Sequence, residues 1–434
     1  MSTLRLSTAT LPGAVAGCLL LSSCDFVDRS AVPNLICTDG ECGCAAGFGD
    51  CDGDIGNGCE IDLRTDSIHC GGCGTECVQA TCEVGSCTCL TGRANCDGDL
   101  ENGCEVDLAR NGKNCGGCGF DCLGGACSAA ACLPSVVEAF AGEIPRNLAV
   151  DATNLYLATW QGVLAWPLAG GEVTSIAAGQ NDPRSIAVTD RHVIWRTSDA
   201  VWGATLHTAG PPAQTGAPYL IATGPATYSA SRSVAAWAEP NSSNHYVYWF
   251  DENITQDGAE VRKATLSDET VVAVETIATG LLPKAITTDG EAVYWTDADG
   301  QAADPNSGLW TAPLAGGAPS QVVTQTYLRD VTAAAGWVYF SAWAAGEIWS
   351  LPPGGDPPLA LATGQSFPTD IAVDPDRTRL YWSNDCSGAI VTLALDGGSP
   401  KVIADQGCSP HSLVVSDDSV YWIQWADVMR LAQR

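Results

Sequence analysis

"PKAITTDGEAVYWTDA" occupies residues 283–298. Ile286, Thr287 and Thr288 form a β-branched run, Asp289-Gly290 marks a tight turn, and a second run carries Val293-Tyr294-Trp295. Strand formers on both sides of an Asp-Gly turn specify a β-hairpin. The pattern recurs as "PRNLAVDATNLYLATW" (145–160), "PRSIAVTDRHVIWRTS" (183–198), "LRDVTAAAGWVYFSAW" (328–343), "PTDIAVDPDRTRLYWSND" (368–385) and "PHSLVVSDDSVYWIQW" (410–425). A degenerate copy begins near Pro225, runs through "YSASRSVAAWAEPNSSNHYVYWFDE" (228–252), and carries a polar insertion from Pro240 to His245.

Most copies continue into a third strand, a glycine turn and a fourth strand, as in "GVLAWPLAGGEVTSIA" (162–177) and "GLWTAPLAGGAPSQVV" (308–323). Four strands every ~40 residues indicate a β-propeller. The fold class is therefore all-β, with a propeller over 135–434. Starts at Pro145, Pro183, Pro225, Pro283, Leu328, Pro368 and Pro410 give seven blades, or six if the degenerate copy is an insertion. The last copy reaches Arg434 after three strands. "VVEAFAGEIPRNLAV" (136–150) parallels "VTSIAAGQNDPRSIAV" (173–188), so residues 136–140 are expected to complete the seventh blade. Closure of that kind leaves no free edge between the first and last blades. Trp195, Trp249, Trp295, Trp382 and Trp422 share one repeat position and are expected to pack between blades. "VYWTD" (293–297) and "LYWSN" (380–384) resemble the YWTD propellers of lipoprotein-receptor ectodomains, and more loosely the NHL and TolB-like propellers. The resemblance implies blade packing and no particular activity. YWTD and TolB-type domains usually have six blades, and a count of seven departs from them.

Residues 37–134 follow another rule. Residues 37–81 and 82–126 repeat the spacing C-x4-C-x-C-x6-C-x7-C-x10-C-x2-C-x3-C, and a half unit keeps Cys127 and Cys132. Each copy is too small and too poor in apolar groups to fold on its own core, so disulfides are expected to hold it. Eight cysteines leave the pairing open. Cys127 and Cys132 have only each other nearby in the half unit, which suggests that they pair, and that Cys37–Cys42 and Cys82–Cys87 do likewise. "CGGC" at 70–73 and 115–118 also suits zinc, but export and an even cysteine count favour disulfides. The copies carry "CDGDIGNGCEIDL" (51–63) and "CDGDLENGCEVDL" (96–108). Asp50, Asp52, Asp54, Asn57, Glu60 and Asp62, with Asp97, Asp99, Asn102, Glu105 and Asp107, form a candidate calcium set, Ca2+ being the one cofactor suggested. The competing reading is Asx- and Gly-rich turns whose acids bind their own backbone. These copies resemble "CDGD…NGCE.D…CG.CG..C" repeats of secreted and lipid-anchored bacterial proteins.

The chain opens with Arg5 and an apolar, small-residue run from Leu11 to Leu21, the form of a secretory signal over 1–23. Leu21-Ser22-Ser23-Cys24 resembles the lipobox of bacterial lipoproteins. The resemblance implies lipidation at Cys24, a linker over 24–36, and a membrane anchor in the envelope of a Gram-negative-type bacterium, periplasm-facing or at the surface. Twenty-two cysteines agree with an oxidising compartment. A net charge of −30 argues against nucleic acid as a partner.

In a propeller the loops between second and third strands share a face with the blade junctions. Trp160, Trp343 and Trp425 fall in the former, and Phe367, Asp370 and His411 in the latter. Exposed aromatics beside charges suit a protein or glycan ligand. Cys386 and Cys408 fall on the same face and are expected to form a disulfide. No GxSxG, HExxH or phosphate-cradling loop occurs, so no catalytic residue is assigned. The expected role is binding or scaffolding, with a metal-dependent lyase or hydrolase in the channel, or a purely structural surface protein, as alternatives. Ligand and oligomeric state are not legible at this level.

Overall fold

A computed structural model describes residues 32–433 except 39–40, 100–101, 208–213, 225–233, 253–257, 298–306, 386, 406 and 408. Cys24, Cys386 and Cys408 therefore lie outside the described residues. Among the described residues, no helix is long and apolar enough to cross a membrane. The chain divides into two compact units between Val106 and Asp107.

The second unit contains seven antiparallel blade sheets, six laid down as meanders and one completed by a strand from the start of the unit. Their inner strands are Pro145–Val150, Ser185–Val188, Val234–Ala238, Pro283–Thr288, Leu328–Ala334, Pro368–Val373 and His411–Val415. They define blades 1 to 7. The degenerate copy is a full blade, with Asn244–Glu252, Ala259–Ser267 and Thr270–Leu281 completing its sheet. The six-bladed alternative is thus excluded. Its polar insertion is mostly the turn between the first two strands.

Seven hydrophobic clusters, each shared by two neighbouring blades, account for all seven interfaces of a closed ring. Trp195, Trp249, Trp295, Trp382 and Trp422 are fully buried in them. A flat blade must cover both faces, and a large side chain at one fixed position does so: Trp in these five blades, Phe340 in blade 5 and Leu157 in blade 1. As expected, an N-terminal strand completes the seventh blade; it is Ser135–Val136, paired with Asp427–Ala432, and stops short of the expected 136–140. Residues Glu138–Phe140 form a 3-10 turn instead, which drives Phe140 into the cluster between blades 7 and 1. The apolar anchor took the residues expected to extend the strand.

The inner strands raise a separate problem. Each lacks a strand partner on its channel side, and buried N–H groups need acceptors. The third residue of the repeat supplies them. Ser412 Oγ accepts the Leu148 N–H at 2.7 Å, Asn147 Oδ1 that of Ile186 at 3.1 Å, and Ser185 Oγ that of Val234 at 3.2 Å. Asp330 Oδ2 accepts the Ile371 N–H at 2.9 Å. Each bond joins one blade to the next, forming a polar belt around the channel. The strand register also slips just there, between Pro145 and Asn147, Pro283 and Ala285, Leu328 and Val331, Pro368 and Ile371, and His411 and Val414. Such bulges re-aim the side chains beside them.

The cysteine-rich region corrects the expected pairing. All eighteen cysteines from Cys37 to Cys132 are disulfide-bonded. Cys37–Cys42 closes a hairpin as expected. Cys82 and Cys87 do not pair with each other, nor do Cys127 and Cys132. Cys82 and Cys87 reach back to Cys70 and Cys77, and Cys127 and Cys132 to Cys115 and Cys122. Cys44–Cys59 and Cys89–Cys104 complete the parallel. The covalent unit is therefore offset from the sequence repeat, each opening hairpin being stapled to the copy before it. The half unit supplies the two cysteines that the second copy requires, and Cys37 and Cys42, with no preceding copy, pair together. Gly71 shows the closeness of the seam: it has φ +74°, and a Cβ there would lie 2.4 Å from the Gly85 carbonyl oxygen. In "CGGC", Cys70 and Cys73 bond different partners, Cys82 and Cys51, which removes the zinc reading there. Cys132 also packs on the cluster between blades 6 and 7.

Candidate functional site

In six blades the second residue of the repeat faces one end of the channel, beside a register slip in blades 1, 4, 5, 6 and 7. A cavity of about 190 Å³ opens there. Arg146, Arg184, Lys284 and Arg329 line it from blades 1, 2, 4 and 5. Thr369 and His411 hold the same repeat position in blades 6 and 7. Four of the chain's 20 lysines and arginines thus converge on one cavity in a chain of charge −30. Asp330, Asp370 and Asp385 also line it.

The cations divide into two kinds. Asp182 bridges Arg146 at 3.2 Å and Arg184 at 2.7 Å. The Arg146 guanidinium also lies 4.7 Å from the Trp160 ring centroid, over its face. Lys284 and Arg329 have no ion pair or hydrogen bond among the described residues. The acids are engaged elsewhere. Asp330 serves the polar belt, and Asp385 Oδ1 accepts from Ser409 Oγ at 3.0 Å. His411 Nδ1 stands 3.2 Å from the Ser409 carbonyl oxygen.

Around the cavity the expected aromatics are present. Trp160 N–H bonds the Ile144 carbonyl, Trp343 N–H that of Tyr327, and Asp385 N–H that of Phe367. These bonds place the inner loops beside the blade junctions. Trp425 is 76% exposed, Trp160 49% and Phe367 39%. Trp343 is half-buried against Phe367, with ring centroids 4.9 Å apart. Phe367 and Trp425 have φ of +57° and +58°, and Asp182, Tyr327 and Ser409 are also left-handed at blade junctions. Bulky residues rarely adopt that conformation, and strain of this kind gathers at binding sites. Asp370 and His411 line the cavity itself; of the aromatics, Trp160 touches its lining through Arg146, and Phe367 through the Asp385 N–H.

Sequence reading missed Lys284 and the Asp182 bridge. Their signal was the repeated Pro-Arg, Pro-Arg, Pro-Lys, Leu-Arg at the blade starts, which reads as packing until the bulges are seen. It also missed a buried pair on strands of blades 2 and 3. His192 and His245 lie with ring centroids 4.0 Å apart, and none of their four ring nitrogens has a hydrogen-bond partner. Burial, the His245 ring and Arg191 lower the His192 pKa to about 4. Burial and Arg191 also lower that of His245.

The candidate calcium set gathers only in part. Asp50, Asp52 and Glu60 each bring an oxygen within 4.8 Å of the others. The remaining acids turn inward on their own loops. Asp50 accepts the Gly53 N–H, Asp52 those of Asp54 and the Asn57 amide, Asp54 that of Gly56, and Glu60 that of Cys51. Asp62 holds Arg64 at 2.8 Å. The second copy repeats the network: Asn95 serves Gly98, Asp97 serves Asp99 and Asn102, Glu105 serves Cys96, and Asp107 serves Ala109. Asn95 stands where the first copy has Asp50, so Asp97 and Glu105 lack a third carboxylate. Asp50 is raised by desolvation, and further by Asp52 and Glu60.

No family model matches the chain. The vitellogenin receptor Yl of Drosophila melanogaster is 31% identical over 61 residues, 14% of this chain and 3% of that protein. The chain therefore spans only a small fraction of that receptor. Virginiamycin B lyase from Staphylococcus aureus, in selenomethionine form, superposes with a TM-score of 0.51 at 13% identity, covering 69% of this chain and 98% of that one. A catalytically inactive form of that enzyme with quinupristin gives 0.49 at 12% identity, over 67% and 96%. At such identities the likeness is one of fold.

Proposed function

We propose that the chain is an exported binding protein, lipid-anchored at Cys24 in the cell envelope, whose propeller presents one face to a protein or glycan ligand. One observation carries the reading: Trp160, Trp425 and Phe367 are exposed on inner and junction loops, the last two on left-handed backbone, and Trp160 stacks on Arg146 of the concave polar cavity. Exposed aromatics contribute large contact area at little conformational cost. Eighteen oxidised cysteines and the Leu21–Cys24 sequence support export and anchoring. The test is a protein pull-down and a glycan array with the full chain and a W160A/W425A variant. Partners lost in the variant support the face; partners that all survive it sink the reading. Anchoring is tested by Cys24→Ser, which is expected to move the protein from the membrane to the soluble fraction.

A second reading, a metal-dependent lyase or hydrolase, draws on one observation. Asp370, Asp385 and His411 line the same cavity. Against it stand Lys284 and Arg329 in the same lining, which repel a divalent ion.

A further inference from the structure

Lys284 and Arg329 occupy the same repeat position on adjacent blades, and their inner strands pack side by side. Both line the cavity, and neither has a partner among the described residues. Arg146 and Arg184, by contrast, share Asp182. Asp182 thus offsets one of the two charges on that side, while on the other side Lys284 and Arg329 bond none of the described carboxylates, although Asp330, Asp370 and Asp385 line the same cavity. A chain with 50 acids and 20 bases does not lack carboxylates to pair with them. The two are instead kept open where an anion could enter from solvent.

The shape of the anion follows from the donors. Arg presents a planar fork matched to a carboxylate, and Lys adds a compact charge beside it. The body of the ligand follows from the rest of the lining. Only Ala285 and Pro410 among the lining residues are apolar. Peptide and drug-like pockets are mostly apolar with few polar groups. A lining of Thr, Ser, Asn and Asp offers donors and acceptors to a polyhydroxylated ligand, and exposed aromatic faces stand outside it.

We infer that the Lys284–Arg329 side of the channel mouth binds the carboxylate of an acidic saccharide. This rests on the binding role proposed for the same face and names its ligand class. The test is calorimetry on the full oxidised chain at low salt, with oligogalacturonate, its neutral oligogalactose counterpart, and poly-glutamate. Oligogalacturonate is expected to bind saturably, more weakly as salt rises, and the other two not at all. K284Q/R329Q is expected to weaken binding by roughly tenfold or more, the scale of one lost charge-assisted hydrogen bond. Lys401→Gln, on the exposed outer strand of blade 6, removes a charge elsewhere and is expected to change nothing. Absent oligogalacturonate binding, equal binding of the neutral sugar, or binding indifferent to K284Q/R329Q overturns the inference. Poly-glutamate binding with the same dependence replaces the saccharide by an acidic peptide. A partner that needs Trp160 and Trp425 but ignores Lys284 and Arg329 sinks only the carboxylate inference. With no partner dependent on the face, both fall.

Discussion

The cysteine-rich copies and the propeller solve the same problem by opposite means. Residues 37–134 hold two aromatic residues, Phe48 and Phe120, and eighteen oxidised cysteines. All 14 tryptophans lie between Trp160 and Trp425, in a region with two cysteines. Where apolar area is scarce, covalent bonds restrict the unfolded chain; where it is plentiful, burial between blades holds the fold. The difference also explains how each part repeats. A blade interface needs a neighbour of the right shape, so the ring must close. A disulfide hairpin needs only two cysteines from the next copy, so the array ends in a half unit that supplies them.

Reduction breaks this comparison most directly. Dithiothreitol is expected to make residues 37–132 protease-sensitive while leaving tryptophan fluorescence native, because every tryptophan belongs to the blades. Simultaneous loss of both signals would show that the propeller depends on the array. Next in size is Trp382→Ala, at a fully buried blade position. Its expected cost is about 3–5 kcal/mol, measured by urea unfolding with intact disulfides. Ser412→Ala tests the polar belt. It strands the Leu148 N–H and the Asn147 amide, and is expected to cost about 1–3 kcal/mol in the same measurement.

Acid gives a smaller, directional effect. His192 and His245 are neutral when folded, with values below the 6.5 of an exposed histidine. The unfolded chain therefore binds protons first as the pH falls. Stability is complete above about 6.5 and declines toward about 4. Melting curves across that range should show the slope, and a His192→Leu, His245→Leu variant should flatten it. Calcium is expected to do least. The loop acids already accept backbone N–H groups, so about 1 mM Ca2+, the weak end of extracellular calcium modules, should leave the melting temperature unchanged. A rise lost in Asp52→Asn would restore the metal reading of the first copy.

Much of the architecture lay in local pattern. Alternating strands, Asp-Gly turns and a repeated tryptophan are short-range features, and they predicted blades, their number and the buried ring. Trp160, Trp425 and Phe367 were legible as loop residues for the same reason. The disulfide pairing was not legible. Cys127 and Cys132 looked like partners because nothing else in the half unit was near, whereas folding brought the preceding copy closer than sequence distance suggests. The closing strand was legible but its extent was not, since Glu138–Phe140 turn to bury Phe140 between blades 7 and 1.

Repeat period, cysteine number and charge balance were thus determined by sequence alone, because each is a property of neighbours along the chain. Which cysteines join, which carboxylates are consumed by backbone, and which cations of the channel mouth bond a described carboxylate were decided only by the tertiary structure. Those outcomes depend on groups dozens to hundreds of residues apart, and on strand irregularities in several blades that bring their second residues to one cavity.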